Sequence, residues 1–264
     1  MGKTKSTIFH DKIAENYESN YSSNYWKFYQ DITYGNLKKY LPKKNSLILD
    51  AGGGTGFWSR KLAKQNYRLI CTDISQKMLD TGVKIAKKEK TSEKIKFLNS
   101  DITNMKEFTD NFFDLAIAEG DPVGYCENAD KAIKELSRVT KKGKYVIISI
   151  DSYFSRLNRM VAKQDFKQLG LLESKHKTSF SDGSYYEHDF TIRELKNLFE
   201  KNNLDVIEII GKLVFIRSIP REEIEEVLSN KKMYKNLLKL ELKYNSEPSI
   251  IGLSGHIQIV GKKR

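Results

Sequence analysis

The sequence predicts an α/β protein with a Rossmann-like, doubly wound, mostly parallel seven-stranded sheet, helices on both faces and an inserted lid segment. Short apolar runs alternate strictly with amphipathic helical patterns from residue 46 to residue 150, which is typical of a parallel sheet buried on both faces. The first run, Leu47 to Asp50, leads into a glycine-rich turn and then a helix. This arrangement is typical of nucleotide binding, because glycines let the backbone approach a ligand and a helix N-terminus offers free N–H groups.

We expect four segments along the chain. An N-terminal helical cap covers the cofactor site, a Rossmann-like core follows, a lid binds the acceptor, and the C-terminal part completes the same sheet. The boundaries are expected at residues 1–45, 46–150, 151–190 and 191–264. Within the cap, Tyr25, Phe28, Tyr29 and Ile32 recur at helical spacing, so this aromatic face is expected to pack on a core.

Further strands are expected after the glycine turn, and an acidic residue stands at or near the end of each of the next three. These strands are expected at residues 68–72, 95–98, 113–118 and 145–150. The alternation breaks after residue 150, where a helical pattern leads to a hairpin-like turn at Asp182-Gly183. Thr191 and Glu194 then form a capping box for a helix. Beyond it we expect a strand at 206–216, a helix at 222–242 and a last strand at 256–260.

The composition predicts a soluble globular protein, since 39% of the 264 residues are hydrophobic and 30% are charged. No apolar run approaches the roughly 18 residues of a membrane span, so we expect a cytoplasmic location. Cys71 and Cys126 have neither disulfide nor metal-ligand spacing and are expected to be reduced thiols. The net charge of +12 suggests nucleic acid or an anionic substrate, although the lysine clusters fall at helix ends and loops, where a solvated face is the usual explanation.

The spacing of the glycines narrows the choice of ligand. A dinucleotide fingerprint needs a small residue where Phe57 stands, and no Lys-Ser/Thr pair follows the glycines as a P-loop requires. The turn reads D-x-G-x-G-x-G from Asp50 to Gly56, and Asp73 ends the next strand. A carboxylate at that position can accept hydrogen bonds from both hydroxyls of a ribose.

Four linked segments carry a family resemblance. They are LDAGGGTGFWSRKLA, ICTDIS, FLNSDITNM and FDLAIAEGD. Taken in order, they resemble the class I S-adenosylmethionine-dependent methyltransferases. The closest resemblance is to the small-molecule branch related to quinone-biosynthesis enzymes, whose N-terminal helices begin like HDKIAENYESNY here. The resemblance implies S-adenosylmethionine as cofactor, S-adenosylhomocysteine as product and no metal.

The chemistry of this cofactor gives each predicted residue a role. The glycines let backbone groups reach the amino acid end of the cofactor. Asp50 lies near the ammonium group of that end, and Asp73 accepts hydrogen bonds from the ribose hydroxyls. By resemblance, Asp101 meets the adenine amino group, and apolar side chains flank the ring. The cofactor-binding residues are expected to be Asp50, Gly52, Gly54, Gly56, Asp73, Ile74, Met78, Asp101, Ile102 and Glu119. The alternative for the three aspartates is a capping role at strand or helix ends.

Methyl transfer needs a general base only when the acceptor is an unactivated hydroxyl, amine or acidic carbon. The candidates are Glu119, Asp121 and Tyr125 after the fourth strand and Tyr185, Tyr186 and His188 in the lid. His188 suits this role best by its pKa, and a hydrogen-bonded structural histidine is the equal alternative.

Asp121 to Tyr125 invites comparison with the D-P-P-Y motif of amino-methylating enzymes. Here Glu119 and Gly120 intervene after the strand and a residue is added before the aromatic, which disfavours methylation of a base amino group.

Three functions remain open at this point. A small, partly aromatic acceptor is favoured, and a nucleic-acid partner is not expected. The lid segment 151–190 holds six basic and six acidic residues, whereas the mouth of a site that admits RNA should be basic. Residues 1–45 carry a charge of only +4. RNA methylation is the rival suggested by the net charge of the whole chain. A non-catalytic S-adenosylmethionine-binding protein is the rival from another class.

Overall fold

The computed structural model describes residues 4–179 and 185–264. Its strands are β1 Leu47–Ala51, β2 Arg68–Asp73, β3 Ile95–Asn99, β4 Phe113–Ala118, β5 Thr140–Asp151, β6 Lys177–Ser179, β7 Tyr186–His188, β8 Leu204–Lys212 and β9 His256–Lys263. Seven of them form one sheet in the order β3-β2-β1-β4-β5-β9-β8, and β6 pairs with β7. Strand β9 runs antiparallel to both of its neighbours, and the other neighbouring pairs of the large sheet are parallel. The predicted fold class is confirmed.

Helices lie on both faces of this sheet. They are α1 Lys5–Ile13, α2 Tyr17–Asn20, α3 Asn24–Leu37, α4 Phe57–Ala63, α5 Gln76–Lys88, α6 Pro122–Tyr125, α7 Ala129–Val139, α8 Tyr153–Ala162, α9 Phe166–Lys175, α10 Ile192–Lys201, α11 Ile224–Ser229, α12 Lys231–Tyr244 and α13 Pro248–Ile251. Across residues 4–179 and 185–264, no helix combines the length and the apolar character that crossing a membrane requires.

The core consists of two apolar layers, one on each face of the large sheet. Side chains alternate between these layers along each strand, as the pleat of a strand requires. Ile48 and Ile147 belong to the layer on one face, and Leu49 and Ile148 belong to the layer on the other. All four are fully buried, which explains why the strands appear in the sequence as continuous apolar runs.

The N-terminal helical pattern corresponds to three helices and a 3₁₀ turn, Ala14–Asn16, rather than to one long helix. Ser23 breaks the pattern because its hydroxyl caps α3, where it accepts from the N–H of Trp26. The aromatic face of α3 packs as predicted. Phe28 and Ile32 form a third apolar cluster with Leu213, Ile216 and Leu228 from the C-terminal part of the chain.

Two predicted elements near the C-terminus differ from the structure. The strand expected at 206–216 ends at Lys212, because Leu213 takes a left-handed conformation with φ of 59°. The helix expected at 222–242 is two helices, α11 and α12. Asn230 separates them, since its side chain caps α12 by accepting from the N–H groups of Lys232 and Met233.

The segment between β5 and α10 contains two helices and a small antiparallel sheet. Helices α8 and α9 pack on each other through Met160 and Leu172. Strands β6 and β7 pair with Ser179 opposite Tyr186. The predicted turn Asp182-Gly183 lies outside the described residues. The capping box of Thr191 and Glu194 is confirmed at the start of α10.

Candidate functional site

A cavity of about 1020 Å³ opens at the carboxyl ends of β1, β2, β4 and β5. The strand order reverses at β1, and ligands of open α/β sheets bind at such a reversal. Helices α1 to α3 line one wall of the cavity, for example through Phe9 and Tyr17. The predicted lid, residues 151–190, contributes Arg156 and Glu187. The cavity therefore has a glycine-turn end and a lid end.

The glycine turn takes its shape from main-chain hydrogen bonds. Gly53 N–H donates to the carbonyl of Thr72 at 2.9 Å, which ties the turn to β2. Gly52 and Gly54 have φ of 65° and 58°, in the region that favours glycine. A Cβ atom on Gly52 would lie 2.3 Å from Cβ of Pro122, so this turn and the loop after β4 approach each other too closely for any side chain.

Asp73 lines the cavity directly beside this turn. Its Oδ2 accepts from Gly54 N–H at 2.9 Å and its Oδ1 accepts from Ser75 N–H at 2.8 Å. Burial raises the pKa of the Asp73 carboxyl above its ordinary value, although these two N–H donors and His10 oppose the rise. Each carboxylate oxygen can accept a further hydrogen bond, as the predicted contact with ribose hydroxyls requires.

Asp50 lies behind the turn and is not among the residues that line the cavity. The side chain is fully buried, and its Oδ2 accepts from the N–H and the hydroxyl of Ser59 at 3.0 and 2.7 Å. Burial raises the pKa of Asp50 to about 6. Gly56 also lies away from the cavity and begins α4 with φ of 78°. Both residues hold the turn from behind, which favours a supporting role, and their direct contacts with the cofactor stay predictions.

The end of the cavity beyond Asp73 is lined by the other residues predicted around an adenine ring. These are Ile74, Met78, Asp101 and Ile102. Asp101 Oδ1 already accepts from the N–H and the hydroxyl of Thr103 at 2.8 Å each, as the capping alternative predicted. Ser100 also lines this end, and its buried hydroxyl has no hydrogen-bond partner among the described residues. An unpartnered hydroxyl, a fixed carboxylate at Asp73 and apolar walls fit the adenosine part of S-adenosylmethionine.

Glu119 lines the middle of the cavity but is bound to other side chains. Its Oε2 lies 3.3 Å from Nζ of the fully buried Lys212, and its Oε1 accepts from Gln258 at 2.5 Å. Lys212 also donates to Tyr29 at 2.9 Å and to Thr33 at 3.2 Å. Both oxygens of Glu119 are therefore engaged in a buried ion pair and hydrogen bond, and its roles as base and cofactor ligand stay predictions.

The lid end of the cavity is built around Arg156 of α8. Its guanidinium contacts the carboxylates of Asp151 and Glu187, and its Nε donates to Asp189 Oδ1 at 3.0 Å. His256 Nδ1 lies 2.7 Å from Asp151 Oδ1. Burial opposes ionisation of Asp151, but His256 and Arg156 hold its pKa below the ordinary range. Side chains from β5, α8, β7 and β9, together with Asp189 after β7, thus meet in one ionic cluster.

Two of the candidate bases, Asp121 and Tyr125, line the cavity near this end. Tyr125 lines the cavity, but burial raises its pKa well above the ordinary value, so its phenol is a hydrogen-bond donor rather than a base. His188 is not brought to this cavity. It lines a separate cavity with Tyr186 and packs on Phe190 with a ring distance of 4.2 Å. The imidazole lies beside Phe190 and is not among the residues that line the glycine turn's cavity, so the base role of His188 stays a prediction that this geometry does not support.

Sequence reasoning missed three side chains of the site. Glu18 of α2 accepts from Thr55 of the glycine turn and from Arg60 of α4 at 3.0 Å, which fastens the N-terminal helices over the cavity. Ser100 and Arg156 were also missed. A serine beside Asp101 was the only available signal for the first, and no local pattern marks an ion-pair centre in a lid.

The charge of the cavity lining is opposite to that of the whole chain. Among the described residues, the lining contains nine carboxylates, on Glu18, Asp73, Asp101, Glu119, Asp121, Glu127, Asp151, Asp165 and Glu187. The same part of the chain contributes four basic side chains besides two histidines, on Lys27, Arg156, Arg159 and Lys163. The lining is therefore acidic, whereas the chain carries a net charge of +12.

Comparison with known proteins places the chain among methyltransferases. Residues 48–143 match the family described as "Methyltransferase domain". A demethylmenaquinone methyltransferase of Bacteroides fragilis is 34% identical over 152 residues, which are 55% of this chain. The chain spans only 60% of the length of that relative.

Two matches extend over the whole chain. A tRNA 5-carboxymethoxyuridine methyltransferase of Escherichia coli O157:H7 is 23% identical and covers 96% of this chain and 95% of its own length. A protein solved in complex with the Trm112 methyltransferase activator of Haloferax volcanii superposes with a TM-score of 0.65 at 14% identity, over 96% of this chain and 97% of that one. The structural match shows a shared fold.

Proposed function

This chain belongs to the class I S-adenosylmethionine-dependent methyltransferases, and on that premise we propose that it transfers a methyl group to a small-molecule acceptor by in-line displacement. The observation that carries the proposal is one cavity with two chemically different ends. The glycine-turn end offers backbone groups and Asp73, and the lid end offers charged side chains around Arg156. Such a cavity can hold donor and acceptor side by side.

We assign the donor to the glycine-turn end. Gly52 and Gly54 present main-chain groups to its amino acid part, Asp73 accepts from the ribose, and Ser100 with Asp101 faces the adenine edge. Ile74, Met78 and Ile102 flank the ring. When bound, S-adenosylmethionine supplies an electrophilic methyl group on a sulfonium. The acidic lining suits this cofactor, because its sulfonium and ammonium outweigh its single carboxylate.

The protein's own contribution is alignment and exclusion of water. We propose that residues 1–45 act as a cap and residues 151–190 as a lid. Tyr17 and Tyr21 from the cap, and Tyr125 from α6, line the cavity with aromatic rings. Holding donor and acceptor in line can supply most of the acceleration of such a displacement.

A tRNA carboxylate is the second candidate acceptor, because the tRNA methyltransferase relative matches over 95% of its length. The cavity lining argues against it. A nucleic acid brings phosphates to the mouth of the site, and nine carboxylates against four basic side chains would repel them. Binding of tRNA that weakens steeply with added salt, together with label transfer to tRNA, would favour this alternative.

The test of the proposal combines binding and transfer. Calorimetry should detect S-adenosylmethionine binding to the wild-type protein and a loss of roughly 30-fold or more in Asp73→Ala, since a charged hydrogen-bond acceptor is removed. Asp80→Ala is the control, because Asp80 is an exposed residue of α5. Unchanged affinity in Asp73→Ala would contradict the assignment of this residue.

Transfer is measured with methyl-labelled cofactor on a fractionated metabolite extract. Since the Haloferax neighbour was solved with an activator, the assay is run with and without a Trm112 protein. Label in a small metabolite supports the proposal. Binding without transfer under both conditions would favour a non-catalytic S-adenosylmethionine-binding protein.

A further inference from the structure

Two buried carboxylate oxygens at the lid end of the cavity have no hydrogen-bond donor among the described residues. They are Oδ1 of Asp121 and Oε2 of Glu187. The two residues are 5% and 2% exposed, and both line the cavity. Oxygens of Asp121, Asp151 and Glu187 all lie within 4.8 Å of one another. Because burying an acceptor without a donor is costly, these oxygens point to a ligand that donates.

The charges around these oxygens do not balance. Arg156, Arg159 and His256 together face four carboxylates, those of Asp121, Asp151, Glu187 and Asp189. Glu187, Asp151 and Asp189 all contact Arg156, and Asp151 also contacts His256. Asp121 forms no ion pair with another described residue, and its Oδ2 accepts from the N–H of Asp151 at 3.1 Å.

We propose that Asp121 and Glu187 form the subsite for an amino group of the acceptor, so that the substrate is a small primary or secondary amine. The N–H groups of the amine donate to the carboxylates of Asp121 and Glu187, each of which keeps one oxygen without a partner among the described residues. This inference rests on the proposed function and names the acceptor class for the same cavity.

A divalent metal fits these carboxylates less well than an amine does. The guanidinium of Arg156 already bridges Asp151 and Glu187. A dication placed among the same oxygens would face this fixed cation at close range in a poorly solvated site. A carboxylate acceptor is disfavoured for the opposite reason, because two unpaired carboxylate oxygens would repel it.

The same groups can remove the proton that amine methylation releases. An amine that binds as an ammonium first passes one N–H proton to a carboxylate oxygen of Asp121 or Glu187, which frees the nitrogen lone pair. As this lone pair forms the N–C bond, the electron pair of the breaking C–S bond stays on sulfur, and the methylated nitrogen carries the positive charge. Burial raises the pKa of Glu187 to about 7, against the opposing effect of Arg156, and burial beside Asp151 raises the pKa of Asp121. Glu187 can therefore accept a proton near neutral pH.

The first experiment identifies the methylated atom. Protein is incubated with methyl-labelled S-adenosylmethionine and a metabolite extract, and the labelled product is analysed by mass spectrometry and NMR. An N-methyl product supports the inference. A methyl ester, ether or C-methyl product overturns it while leaving the proposed function intact. Failure of the wild-type protein to bind S-adenosylmethionine would instead count against the proposed function itself.

The second experiment measures binding without turnover. The protein loaded with S-adenosylhomocysteine is titrated calorimetrically with 2-phenylethylamine and with 3-phenylpropionate, two probes of similar size and opposite charge. We expect the wild-type protein to prefer the amine, and Asp121→Asn and Glu187→Gln to lose this preference by roughly tenfold or more, since each loses a charged acceptor.

Several outcomes would overturn the inference. They are equal affinity for both probes, a wild-type preference kept by both variants, and binding of Mg²⁺ alone that requires Asp121. Glu222→Gln makes the same chemical change at an exposed residue and should keep the preference. Unchanged S-adenosylhomocysteine affinity in the variants shows that they are folded.

Discussion

The two ends of the cavity are built by different physical means. At the glycine-turn end, residues within one stretch of sequence are held by main-chain N–H groups, for example Gly53 to Thr72 and Gly54 to Asp73. At the lid end, side chains from β5, α8, β7 and β9 are held to one another by ion pairs around Arg156. The first end depends on backbone conformation, and the second depends on charge.

This difference determines how each end responds to substitution. A loop held by its own backbone loses little stability when one supporting side chain becomes neutral, as long as the φ angles of the loop are kept. A buried ionic cluster behaves in the opposite way, because removal of one partner leaves the others charged and unpaired in a site of low polarity. Single substitutions that remove a charge should therefore destabilise the protein more at the lid end. Substitutions that add side-chain volume should destabilise it more at the glycine-turn end.

The largest effect is expected for Arg156→Met. The substitution leaves Asp151, Glu187 and Asp189 without their shared guanidinium, and the free energy of unfolding should fall by about 3–5 kcal/mol. Affinity for S-adenosylmethionine should change by no more than about threefold, since substitutions at separate sites act nearly independently. Urea unfolding and calorimetry measure the two quantities.

The control for this prediction is Arg193→Met, which removes an exposed arginine of α10 and should have little effect on either quantity. If Arg156→Met weakened cofactor binding as much as it weakened folding, the two ends would be one coupled unit, and the comparison between them would fail.

The fold could be predicted because its signals are local. Continuous apolar strands such as Leu47 to Leu49 and the capping box at Thr191 each specify their own element, and the alternation of strands and helices specifies the parallel sheet. The failures were also local. Leu213 ends β8 by adopting φ of 59°, a conformation that an apolar residue rarely takes, and Asn230 interrupts a helical pattern by capping rather than by breaking its periodicity.

The candidate site could be predicted only where it is contiguous. The glycine turn and Asp73 share one motif, so their proximity followed from spacing. The lid end could not be predicted, because Asp121, Arg156 and His256 come together only through the order of the strands. His188, the candidate base chosen for its ordinary histidine chemistry, lines a different cavity, since chemical type says nothing about which cavity a side chain reaches.

A smaller effect is expected for Gly52→Ala, which tests the sensitivity of the turn end to volume. The new Cβ would meet Pro122 at 2.3 Å, and φ of 65° adds strain for any residue with a side chain. We expect the free energy of unfolding to fall by about 2 kcal/mol and cofactor affinity to fall as well. Gly170→Ala is the matched control, because nothing lies within 4 Å of its added Cβ and its φ is ordinary. Equal behaviour of the two variants would show that the turn can relax.

The smallest effect concerns Asp50, the carboxylate behind the turn. Its pKa of about 6 in the folded protein exceeds the ordinary 3.8, so the folded state holds this proton more tightly than the unfolded chain does. The resulting stability is fully present below pH 3.8 and is lost as the pH rises through 6. Between pH 5 and pH 7 the loss is about 1 kcal/mol.

Asp50→Asn should remove this dependence while keeping an oxygen for Ser59. The difference in free energy of unfolding between variant and wild type should therefore shift by about 1 kcal/mol in favour of the variant from pH 5 to pH 7. Subtracting the wild-type values cancels the titration of the lid end, and Asp80→Asn, at an exposed residue, is the control.

Cofactor affinity separates the two roles considered for Asp50. A supporting carboxylate leaves it within about threefold, whereas direct contact with the ammonium would cost roughly tenfold or more. The buried position behind Gly53 leads us to expect the smaller change.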